Sequence, residues 1–159
     1  MRKTEIICIG KLKEQYLKDG TKEYIKRLSR YTNLVITELA CEKISKYPKP
    51  HEIENAIKKE GERVVARLSQ LKDSGGYTVF PLAVSGVHIP SQDFAQLLNK
   101  NPRCVFVIGS SHGLDSSVVL GKKSISFSQL TFSHQLIRLI LLEQLYRGYK
   151  ILANESYHK

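Results

Sequence analysis

Three observations predict one α/β domain over residues 1–159, with a mostly parallel sheet flanked by helices. Cys104-Val105-Phe106-Val107-Ile108 is a continuous apolar run, short, largely β-branched and closed by Gly109. A strand buried on both faces of a parallel sheet reads this way. Other strand-like runs alternate along the chain with stretches of helical spacing, and no repeat or low-complexity tract interrupts them. The 159 residues suit a single core that buries roughly 70% of the unfolded surface, without a disulfide or metal staple.

Residues 4–9 are predicted as the first strand, ended by Gly10. A helix follows over 14–30, with Leu17, Tyr24, Ile25 and Leu28 on its buried side. Around it Lys11, Lys13, Lys18, Lys22, Lys26, Arg27 and Arg30 outnumber Glu14, Asp19 and Glu23, making this the densest basic region. Residues 33–39 form the second strand. Residues 42–50 form a basic loop in which Pro48 and Pro50 forbid a continuous helix. Ile53, Ala56, Ile57, Val64, Val65, Leu68 and Leu71 place a helix over 51–71, stopped by Asp73-Ser74-Gly75-Gly76. Residues 77–84 are the third strand, and Ser91 caps a short helix that turns Phe94, Leu97 and Leu98 inward. After the central strand come a short helix at 116–120, a brief strand at 124–127 and a last helix over 133–149. Leu136, Ile137, Leu139, Ile140, Leu141, Leu142 and Leu145 wrap most of that helix, which marks it as buried or as an interface. The tail, 154–159, is polar and has no apolar stripe to hold it in the core.

Twenty-five basic against fifteen acidic residues give a formal charge of +10, an excess that favours a polyanionic partner, above all nucleic acid. Cys8, Cys41 and Cys104 are an odd set without C-x-x-C spacing, read as buried thiols in a reducing compartment rather than as disulfides or zinc ligands. The first apolar run is too short for a signal peptide, and none approaches membrane-spanning length. A soluble, cytoplasmic protein with no membrane partner is expected.

The chemistry is expected at two loops. Gly109-Ser110-Ser111-His112-Gly113 ends the central strand, where open α/β sheets bind ligands; its two glycines permit positive φ. It lacks the middle glycine of a dinucleotide fingerprint, and Gly121-Lys122-Lys123-Ser124 lacks the upstream glycine of a P-loop. It does satisfy G-x-S-x-G, so a serine hydrolase with Ser111, Asp115 and His134 or His158 is one alternative. Asp115, however, lies too close to Ser111 to come from a later strand, and a hydrolase leaves the basic charge unexplained. The second loop, Ser126-Phe127-Ser128-Gln129-Leu130-Thr131-Phe132-Ser133-His134, is rich in hydroxyls and carries two phenylalanines. Together the loops suit a ligand with an apolar ring and polar handles.

That second loop, Arg138, Glu143-Gln144-Leu145-Tyr146-Arg147 and Tyr157-His158-Lys159 resemble the RlmH family of the SPOUT superfamily. Glu23-Tyr24-Ile25-Lys26-Arg27-Leu28 and Lys59-Glu60-Gly61 extend the resemblance over the whole chain. It implies S-adenosylmethionine-dependent methylation of N3 of a pseudouridine in 23S ribosomal RNA, within the ribosome, by a homodimer with a C-terminal trefoil knot. It places cofactor contacts on Leu82, Gly109, Phe127, Ser128, Gln129, Leu130, Thr131 and Phe132. This chain departs from the family's pattern at Ser110, where a second glycine is usual, at Ser133 in place of proline, and at Val87 in place of lysine.

On this reading His158 is the base or orienter for the N3 proton and Tyr157 stacks on a flipped base. Arg138 and Arg147 either grip phosphate or pair with Glu143. So short a chain needs a second subunit to complete the site, with the apolar last helix as dimer face. Three expectations follow. Gly109→Val loses cofactor affinity in a protein that stays folded. The tail lies over the partner's pocket. Its deletion leaves stability nearly intact. The remaining alternative is a non-catalytic RNA-binding module, which would not bind S-adenosylmethionine.

Overall fold

A computed structural model describes all residues, 1–159. The elements run β1 (Arg2–Ile9), α1 (Gln15–Leu28), β2 (Thr32–Leu39), α2 (Pro50–Asp73), β3 (Thr78–His88), α3 (Ser91–Lys100), β4 (Arg103–Ile108), α4 (Ser116–Val119), β5 (Ile125–Ser126) and α5 (His134–Leu152). The five strands form one sheet in the order β2-β1-β4-β3-β5, parallel at every pairing. No helix is long and apolar enough to cross a membrane.

Strand pleating divides the core in two. Ile6, Cys8, Cys104, Phe106 and Ile108 point to one face, where they pack with Leu28 of α1, Phe94 and Leu98 of α3, and Leu141, Leu142 and Leu145 of α5. The alternate residues, Ile7, Ile9, Val105 and Val107, meet Val64 and Leu71 of α2 and Val118 of α4 on the other face. β1 and β4 are covered on both faces, hence their unbroken apolar runs. Most buried polar groups are paired, Thr21 Oγ1, Arg103 Nε, Ser124 Oγ and Arg138 Nε being the exceptions. Thr4 Oγ1 lies 2.9 Å from both Thr32 Oγ1 and the Tyr149 hydroxyl, and Glu5 takes a two-pronged bond from Arg67 at 2.7 and 2.9 Å.

The structure differs from expectation at four places. Ser91 is the first residue of α3 rather than its cap, which is Pro90 with no side-chain hydrogen bond. β3 runs on to His88, because residues beyond Leu82 pair with β5 after a register shift between Leu82 and Val87. α5 continues to Leu152, with Tyr149 buried against the core. Cys41 is exposed rather than buried, since the chain has already left β2 at Leu39; Cys8 and Cys104 are buried as expected.

Candidate active site

A cleft of about 190 Å³ opens at the C-terminal end of β4, beside the middle of β3 where its pairing with β4 has ended. Leu82, Ala83 and Val84 wall one side, Ile108 to Ser111 and Gly113 another, and the segment 125–132, without Gln129, closes it together with His134 and Ile137 of α5. Seven of the eight cofactor positions implied by the resemblance therefore come together here; Gln129 is exposed and does not line the cleft. Leu82, Ile125, Phe127, Leu130, Phe132 and Ile137 offer apolar surface to a ring. Within 127–132 no main-chain group bonds another main-chain group, so these N–H and C=O groups are free for a ligand. Only Leu130 N and Ser128 O are engaged, by the Ser128 and Ser126 hydroxyls at 2.9 Å each. This donor set fits an adenosine with polar substituents.

The two glycines of the other loop serve different ends. A Cβ on Gly109 would stand 2.5 Å from Gly113 O, so this position needs space. Gly113 has φ +91° with nothing within 4 Å, so it needs the left-handed angle. Ser110 is buried, and its hydroxyl donates to Glu60 Oε1 of α2 at 2.8 Å. The hydrolase arrangement is not assembled. The Ser111 side chain is exposed and bonds no imidazole, and Asp115 caps α4 through Ser117. Burial pushes the Cys8 and Cys104 thiols up to about 12 and about 11, which removes them as nucleophiles. His134, at the start of α5, lines the cleft. Its pKa is lowered by burial first, then by Arg138 and Lys13, so the ring is neutral at pH 7.

The tail is fastened to its own chain. The Tyr157 hydroxyl donates to Glu143 Oε1 at 3.0 Å, and its ring meets that of Tyr146 edge-on, centroids 5.0 Å apart. Arg147 lies over the Tyr157 ring at 4.9 Å and also bonds Glu143 at 2.8 Å. Burial and the Tyr24 and Glu143 bonds push the Tyr157 phenol well above the usual range, so it acts as a neutral donor. His158 is held at Nδ1 by Arg147 and at Nε2 by the Gln92 amide, 3.2 Å each. Both neighbours present nitrogen donors and an imidazole has one lone pair at most, so only one of these two contacts is a hydrogen bond accepted by the ring. Tyr157 and His158 do not line the cleft of their own chain. Arg147 lies ten residues beyond Ile137 on α5, about 15 Å along the axis.

Arg138 takes neither role expected of it. Its side chain is 2% exposed, donating to Glu38 Oε2 at 2.7 Å and to Gly10 O at 3.1 Å, while Glu143 pairs with Arg147 instead. The residue points inward from α5 beneath the ends of β1 and β2, out of reach of a phosphate. Arg138→Ala is expected to destabilise the fold by about 2 kcal/mol, measurable by urea unfolding, because it leaves Gly10 O and the partly exposed Glu38 without their donor; a loss under 1 kcal/mol would return Arg138 to the list of functional groups.

Comparison with known proteins agrees with this geometry. The family model described as "Predicted SPOUT methyltransferase" matches residues 2–158. A protein of Carboxydothermus hydrogenoformans named "Ribosomal RNA large subunit methyltransferase H" is 39% identical over 160 aligned positions, covering 97% of this chain and 98% of the relative. With both loops of the cleft and the C-terminal tail inside the matched region, the chain belongs to the SPOUT methyltransferase family.

Proposed function

We propose that this protein binds S-adenosylmethionine in the cleft and methylates N3 of a pseudouridine in large-subunit ribosomal RNA, in the cytoplasm, as a homodimer. The observation that carries the reading is the cleft itself: apolar walls and unpaired main chain at the C-terminal edge of a parallel sheet, in a chain of this family. The named relative supplies the RNA class. The trefoil knot belongs to the same reading; its support is that the chain leaves β5 at the sheet edge, passes the 109–113 loop and returns in α5 against α1 and α3.

S-adenosylmethionine supplies, when bound, an electrophilic methyl group on a sulfonium. The protein's part is alignment for in-line displacement and removal of the N3 proton. The 127–132 main chain and the apolar walls orient the ligand and exclude water. Tyr157 and His158 do not line their own cleft and are held by Arg147, about 15 Å along α5 from Ile137, so the tail that completes a site comes from the partner subunit. Leu130, 72% exposed, with Val84, Val87 and Leu136 also exposed at this edge, supplies apolar surface for that partner. In the shared site the unprotonated ring nitrogen of His158 accepts the N3 proton, the substrate displacing the donor that faces that nitrogen in the free chain.

Calorimetric titration with S-adenosylmethionine, followed by mass mapping of 23S RNA from a deletion strain, tests the proposal. Binding near one molecule per cleft, and one methyl group lost from the RNA, are expected. RNA binding without cofactor binding would favour the non-catalytic module. A pH dependence is also expected. The folded pKa of His134 lies below its usual 6.5, so the folded state takes up its proton later than the unfolded chain does. Stability from this group is therefore lost as pH falls, and an imidazolium then faces the cationic ligand. Cofactor affinity should fall as pH drops through that lowered pKa, with a limiting slope of about one decade per pH unit. His134→Gln should flatten that limb; an unchanged limb would place the titrating group elsewhere.

A further inference from the structure

Glu60 of α2 is 4% exposed, and its two oxygens serve two different segments. Oε1 accepts from Ser110, which walls the cleft; Oε2 accepts from Glu42 N at 3.0 Å, at the base of the segment leaving β2. One carboxylate thus ties the cleft to a loop that follows the same C-terminal edge of the sheet. β2 lies two strands from β4, about 10 Å away.

Beyond Glu42 the loop reads Lys43-Ile44-Ser45-Lys46-Tyr47-Pro48-Lys49-Pro50, three lysines and no acid. Lys43, Lys46 and Lys49 are exposed and form no ion pair; Glu42 is already held by Arg63 at 3.2 Å and Lys59 at 3.8 Å. Tyr47 is 84% exposed, its ring touched only by the Lys46 ammonium at 5.6 Å from the centroid. The two prolines restrict the backbone, and Ser45 closes the loop onto Glu52 of α2 at 3.0 Å. Exposed Lys11 and Lys13, on the neighbouring loop after β1, continue the positive stripe toward the cleft; Lys13 N is bonded to Gln135 Oε1 at 2.9 Å. A presented aromatic ring among unpaired cations is the chemistry that binds single-stranded nucleic acid, by stacking and by phosphate contact.

We propose that residues 43–50 form an RNA-contact arm. Tyr47 stacks on an unpaired base near the methylated nucleotide, Lys43, Lys46 and Lys49 hold the flanking phosphates, and Glu60 fixes the arm relative to the cleft. The inference rests on the ribosomal RNA reading above. It is tested on the full-length protein with large ribosomal subunits from a strain lacking the enzyme, following methyl transfer from radiolabelled cofactor at several salt concentrations. The triple variant Lys43→Gln, Lys46→Gln, Lys49→Gln should raise KM for subunits and reduce the salt slope of log(kcat/KM) by about 2, at roughly 0.7 per phosphate contact on a single strand. Tyr47→Ala should raise KM about tenfold, and Tyr47→Phe should restore it. Cofactor affinity and melting temperature should not move in either variant. Lys22→Gln with Lys26→Gln, on α1, is the comparison. If the triple variant keeps the wild-type KM and slope, or the α1 pair alone lowers the slope, the arm is overturned while the methyltransferase reading stands. A wild-type protein that transfers no methyl group to subunits or to naked 23S RNA overturns that reading, and the arm with it.

Discussion

Deleting residues 156–159 is expected to lower methyl transfer at least about a thousandfold, while cofactor binding persists. The rate loss combines removal of a general base, commonly worth 10²–10⁴, with loss of the Tyr157 ring against the extruded nucleotide. His158→Ala alone should cost about a hundredfold at neutral pH, and less as pH rises and hydroxide takes over the N3 proton. The deletion also has a stability cost that the polar tail sequence does not suggest. It removes the Tyr157–Glu143 bond and the edge-on contact with Tyr146, worth about 1–2 kcal/mol together. The Glu155 contacts to Lys150 and Tyr31 remain. Mixing separates a shared site from a self-contained one. A tail-deleted protein combined with a Leu130→Arg protein, whose cleft mouth repels a cation, should regain transfer if the tail acts on the partner's cleft. Without recovery in the mixed dimer, the shared site is wrong.

The strands were legible wherever both faces are buried. β4 and β1 carry unbroken apolar runs because helices cover both sides of them, and a run of that kind has few other readings. The far half of β3 was not, since the strand-like run ends at Val84; the chain stays extended beyond it where β5 pairs with it after a register shift. The cleft residues were found through the resemblance, while periodicity and spacing pointed only to two small-residue loops. Arg138 was misplaced because a lone arginine on an apolar helix gives no sign of which way it points. Its direction is set by Glu38 and Gly10 O, 100 and 128 residues away in sequence. Glu60 shows the same limit: as one charge within Lys59-Glu60-Gly61 it looks solvated, yet the fold buries it against Ser110 and Glu42.

Gly109→Val is expected to abolish cofactor binding and to destabilise the protein by about 2–3 kcal/mol, which corrects the expectation of a pure binding defect. The new Cβ would lie 2.5 Å from Gly113 O, 2.6 Å from its carbon and 3.0 Å from Leu114 Cγ. The first two are backbone atoms, which no rotamer change relieves, so the overpacking penalty falls on the loop itself. That loop has little freedom to yield. Gly113 N is bonded to Ser110 O at 2.9 Å, and Ser110 is bonded in turn to the buried Glu60; moving the turn away from a valine breaks one or both. Gly113→Ala is the control, because an added Cβ there meets nothing and the cost is only the left-handed φ of +91°, about 1 kcal/mol. Thermal unfolding and calorimetry of the two variants should therefore diverge, with Gly113→Ala mildly destabilised and still binding. If Gly109→Val melts with the wild type and keeps its affinity, the turn is looser than its geometry indicates, and the 109–113 loop does not shape the cleft.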